Sequence, residues 1–168
     1  MLIIILRLLH IVLGAVWVGM AVFTAFFLSP AFQEAAPDGA KVMAALQRRG
    51  MMTVMPILAL GTLLSGIWLY WRVSGGFQSG YLTSPGGLAF GLGGATAILA
   101  YGIGMTVMRP SMMRAMTLGQ TLSSATPAER EQRMAEMQRL RARGAAAGRW
   151  VGLLLIAAVA AMAVGRYV

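Results

Sequence analysis

LIIILRLLHIVLGAVWVGMAVFTAFFL, residues 2–28, holds no acidic residue and a single arginine, Arg7. A bilayer core about 30 Å thick takes roughly 20 apolar residues per helix, so this stretch predicts a membrane-spanning helix. Three further segments meet or approach that length: residues 54–71, 88–108 and 145–164. The composition agrees, with 58% apolar and 11% charged residues and a mean hydropathy of +0.73, far above a soluble domain of this size. The fold class expected is all-α: a polytopic membrane protein of one domain, residues 1–168, with four transmembrane helices in a bundle. The spans occupy almost the whole chain, leaving no room for a separate soluble catalytic unit. The first run is too long for a secretory signal and lacks a clear small-residue cleavage site, so it reads as a retained helix.

The net charge of +9 would suggest nucleic acid in a soluble protein. Here the cations gather in two loops: Lys41, Arg48 and Arg49 after the first span, and Arg109, Arg114, Arg130, Arg133, Arg139, Arg141, Arg143 and Arg149 after the third. The middle loop carries Arg72. The positive-inside rule accounts for this pattern. It places loops one and three in the cytoplasm and both termini on the outer side of the membrane, with lipid contact and no nucleic-acid partner. The chain has no cysteine, which excludes disulfides, thiolate metal sites and thiol catalysis.

Between the spans, two amphipathic helices are expected. The first covers about 39–49, with Asp38-Gly39 as its cap and Gly50 as its stop. The second covers about 127–147 and opens on Thr126-Pro127-Ala128-Glu129, a capping box with proline at the first helical position. It should lie on the membrane surface or against the bundle before running into the fourth span, with a bend at Gly144 and Gly148. The first helix should end near Ser29-Pro30, and Ser84-Pro85 should start the third.

Small residues recur at fourfold spacing: Ala15 and Gly19; Gly61 and Ser65; Gly87, Gly91 and Ala95; Gly148 and Gly152; Ala157, Ala161 and Gly165. Such stripes let helix backbones approach closely in lipid, where apolar burial drives little. They serve packing inside the bundle or docking of another subunit or a second copy.

All five acidic residues, Glu34, Asp38, Glu129, Glu131 and Glu136, lie outside the spans. That disfavours a proton-coupled pump, which needs an intramembrane carboxylate. Catalytic triads, phosphate loops and zinc clusters are absent too. His10, the one histidine, shares a helix face with Gly14, Trp17 and Ala21. A haem or chlorin on its imidazole would find a gap at Gly14 and a wall at Trp17. The competing reading is an interhelical hydrogen bond to Ser65, Thr62 or a carbonyl. Of fourteen methionines, eleven belong to the basic half: Met43, Met51, Met52, Met55, Met105, Met108, Met112, Met113, Met116, Met134 and Met137. Thioethers suit Cu(I) and are also adaptable packing groups.

RLLHIVLGAVWVG, residues 7–19, followed by FFLSPAF, resembles the first helix of a group of bacterial four-helix membrane proteins. The group includes the copper-resistance D-like domain, predicted membrane proteins of unknown function and membrane protoporphyrinogen oxidases. His10, Gly14, Trp17, Gly19 and Pro30 carry the likeness, and MPILALGTLLSGIWLYW, residues 55–71, is similar to their second helix. In haem-associated members the resemblance implies an axial histidine, which falls on His10 alone. A second ligand would have to be Met20, another methionine or a second copy of the chain. The surplus of small-residue faces, the absence of intramembrane carboxylates and the basic amphipathic arm over 126–148 point to a non-enzymatic subunit that packs in and stabilises a larger complex, respiratory or photosynthetic, in a bacterial inner membrane. A haem- or chlorin-binding redox protein and a copper-handling protein are the alternatives.

Overall fold

The computed structural model describes residues 1–36 and 38–168. Helices α1 (Leu2–Glu34), α2 (Asp38–Arg48), α3 (Met51–Val73), α4 (Ser79–Leu82), α5 (Pro85–Gln120) and α6 (Pro127–Val164) follow one another, and the described residues contain no strand. α1, α3, α5 and α6 are each long and apolar enough to cross a membrane. The protein is an all-α, multi-pass four-helix bundle whose apolar outer faces meet lipid. Successive spans lie side by side, α1 on α3, α3 on α5 and α5 on α6, and α6 closes the ring on α1.

The helix starts obey local chemistry. The Ser84 hydroxyl accepts the Gly87 N–H at 3.1 Å, with Pro85 in the first turn. At the start of α6 the Thr126 N–H donates to Glu129 Oε2 at 2.9 Å, and the Glu129 N–H returns to Thr126 Oγ1. This capping box satisfies amides that have no intrahelical acceptor. Gly50, at φ 82°, separates α2 from α3, a left-handed conformation natural to glycine.

α1 does not end at Ser29-Pro30, and α5 runs on past the third span's expected limit at Met108 as far as Gln120. Both helices pass through a proline by the same device. Thr24–Leu28 and Gly104–Met108 are single π-helical turns, closed by bonds from the Ser29 N–H to the Thr24 carbonyl and from the Arg109 N–H to the Gly104 carbonyl. Pro30 and Pro110 have no N–H, and each ring crowds the carbonyl four residues back. One extra residue in the turn relieves that crowding and lets the helix continue.

Beyond the bundle, the second half of α5 and the first half of α6 form an antiparallel arm. Ser111, Ala115 and Met137 are buried within it. Arg133 donates to the Thr121 carbonyl at 2.9 Å, and Arg114 pairs with Glu136 at 2.8 Å. The amphipathic stretch 127–147 therefore lies along α5.

The core consists of Trp17, Ala59, Ala97, Ala100, Val151, Leu155 and Ala158. The four alanines among them bring the helix backbones together, which is how dispersion holds a bundle in lipid. A Cβ on Gly152 would fall 2.8 Å from the Phe26 ring, and one on Gly93 would fall 2.9 Å from Met162. The small-residue stripes divide in two. Gly91 faces the Tyr70 hydroxyl, Gly148 the Met108 sulfur, and Gly165 the side chains of Ala89 and Phe90, while Gly87 is pressed against the Tyr81 carbonyl. Ala161 is half-buried, whereas Ala15, Gly19, Ala95 and Ala157 are exposed.

Candidate functional site

His10 is held between α1 and α3. Its Nδ1 lies 2.9 Å from the Thr62 carbonyl oxygen and 3.3 Å from Ser65 Oγ. A carbonyl only accepts, so the shorter contact places the imidazole proton on Nδ1 and leaves the Nε2 lone pair without it. Both Thr62 and Ser65 are buried, and their hydroxyls donate back along α3 to the carbonyls of Leu58 and Gly61. The imidazole rests on the backbone of Gly66, where a Cβ would fall 2.7 Å from its Cε1.

The face that a haem or chlorin would need is filled by α3. A Cβ on Gly14 would sit 3.3 Å from Thr62 Cγ2, so the expected gap is occupied by a side chain. Trp17 is 5% exposed and packs in the core with Ala59 and Ala100. Met20 is ten residues further along the same helix, about 15 Å by helical rise, too far to share one metal with His10. The Gly14–Trp17 side of His10 therefore offers no slot for a tetrapyrrole.

The larger feature lies toward the basic end of the bundle. A partly open cavity of about 120 Å³ is bounded by all four spans and by α2. Seven of the methionines line it: Met43 from α2, Met51, Met52 and Met55 from α3, and Met105, Met108 and Met112 from α5. Spacings of three and four along α3 and α5 put these thioethers on one helical face. Trp17 and Tyr101 add aromatic walls, and Gly144 and Gly148 on α6 leave the space that side chains would fill. Both π-helical turns contribute to the wall, through Thr24 and Ala25 on α1 and through Gly104, Met105 and Met108 on α5. Met113 and Met134 are exposed instead, and Met137 is buried in the arm.

The residue that the sequence reading missed is Arg109. Counted there among the loop cations, it lines the chamber, and its Nε is the buried side-chain nitrogen or oxygen among the described residues with no hydrogen-bond partner. A buried donor left unmade costs about 1–3 kcal/mol, more for a charged group. The available signal was its place directly after the apolar run 88–108, within one turn of a membrane-spanning helix.

The described residues contain no group of three or more histidine, cysteine, aspartate or glutamate side chains able to hold a metal ion. The chamber can therefore accept soft or apolar partners and offers no ligand set for a hard cation. Comparison with protein-family models, with curated proteins and with solved structures finds no match for this chain.

Proposed function

We propose that the chain is a non-enzymatic membrane subunit that packs in and stabilises a larger complex, respiratory or photosynthetic, in a bacterial inner membrane with both termini outside. The observation that carries this reading is the outward face of α1. Most of the helix-facing glycines are used up in contacts within the bundle, yet Ala15 and Gly19 remain exposed, and no atom lies within 4 Å of the position a Gly19 Cβ would take. Small residues four apart on a free helix face allow another helix to approach at backbone distance. The orientation rests on the cationic loops at one end.

Purified from its native membrane in mild detergent, the protein is expected to carry other membrane subunits. Gly19→Leu should release them while melting at the same temperature as the wild type. A wild-type chain that purifies alone removes the reading.

The haem or chlorin alternative rests on His10, whose Gly14–Trp17 side is closed by α3. Copper handling draws support from the seven thioethers around one cavity. The guanidinium of Arg109 in the same wall opposes a second cation there.

A further inference from the structure

We infer that the methionine-lined chamber binds the head group of a membrane-borne quinone, with Arg109 donating to a ring carbonyl oxygen. The inference is independent of the subunit reading above.

The size comes first. About 120 Å³ is close to the roughly 150 Å³ cavity that holds one benzene ring, so the chamber takes a single six-membered ring and not a folded acyl chain. The chamber is partly open, which lets a tail attached to that ring leave it. The lining comes second. Thioether sulfurs make favourable contacts with aromatic and other planar rings, and methionine adapts its shape to the ring it meets. Met52, Met55, Met105 and Met108 surround the space, with Trp17 and Tyr101 available to stack.

The polar contact comes third. The wall is almost wholly apolar, and Arg109 is the one charged side chain among its lining residues. An apolar ring without an acceptor would give that donor no partner. A hard anion would find one guanidinium and a hydrophobic enclosure around it, which is costly for a charge. A neutral ring carrying a carbonyl oxygen satisfies both the donor and the enclosure.

The test uses the full-length protein in detergent, with Trp68, Trp71 and Trp150 replaced by Phe so that Trp17 is the only reporter. Titration with a short-tailed benzoquinone should quench Trp17 fluorescence saturably. Arg109→Gln should weaken binding at least about tenfold, the worth of one charge-assisted hydrogen bond. Arg109→Lys should restore it only in part, because the lysine keeps the charge and loses the planar fork of guanidinium donors. Gly148→Leu, which projects toward Met108 across the chamber, should abolish binding. Thermal melting of each variant separates lost binding from lost folding, and where Gly148→Leu does not fold, the two Arg109 variants decide. Quenching that rises without saturation, or affinity unchanged in Arg109→Gln, overturns the proposal. So does uptake of Ag(I) that the quinone does not compete with, which would mark a thioether metal site.

Discussion

His10 shows how a polar side chain is made tolerable inside a bundle. The Thr62 carbonyl fixes its tautomer, and the bare backbone of Gly66 gives the ring its seat. Interhelical hydrogen bonds of this kind contribute about 1 kcal/mol in lipid. His10→Ala is therefore expected to destabilise the protein by about that amount plus the lost ring packing, read from unfolding in mixed detergent. Gly66→Val should cost more, since its Cβ would overlap the imidazole and force α1 and α3 apart. If His10→Ala melts like the wild type, the bond to Thr62 contributes nothing. The candidate partners of His10 were legible from sequence because hydroxyls are few in the spans. The filling of the Gly14 gap was not, because it depends on the rotation of α3 about its own axis.

At the scale of the element, caps and prolines behave in different ways. The capping box of α6 lies in Thr126 and Glu129 alone and was readable as a local motif. Thr126→Ala should cost about 1 kcal/mol and speed amide exchange in the first turn of α6. The Thr126 backbone N–H, with its hydroxyl, holds the Glu129 carboxyl below its ordinary 4.5. A lowered carboxylate pKa means that the contribution is present at neutral pH and is lost as pH falls through the lowered value. First-turn amides should then exchange faster in acid than the intrinsic rate predicts, and Glu129→Gln should remove that extra dependence. The Arg114–Glu136 pair is largely solvent-exposed, so Glu136→Gln should shift stability by less than about 1 kcal/mol. Pro30 marked the expected end of the first helix because proline usually stops a helix, and Pro110 stands in the corresponding place in α5. Here a π-helical turn absorbs each one and places the turn in the chamber wall.

For the whole molecule, four spans put the loop around Gln78 and the loop around Ser123 on opposite sides of the membrane. The protein has no cysteine, so Gln78→Cys and Ser123→Cys are unique handles at exposed positions. In intact cells an impermeant thiol reagent should label the cysteine at position 78, and should reach that at 123 only after permeabilisation. The reverse pattern would invert the orientation, and labelling of both from one side would contradict the four-span architecture.

Segment length, apolar content and cap motifs are local properties, so the sequence by itself determined the four spans, the cationic loops and the start of α6. Spans that are apolar on every side carry no polar–apolar contrast to say which face turns inward, and small residues recur in all of them. Only the tertiary structure decided that Gly152 meets Phe26 while Gly19 faces outward. The same is true of the chamber, where methionines from three separate segments converge beside Arg109. Helix rotation and register come from contacts between residues distant in the chain, and those contacts exist only once the bundle has closed.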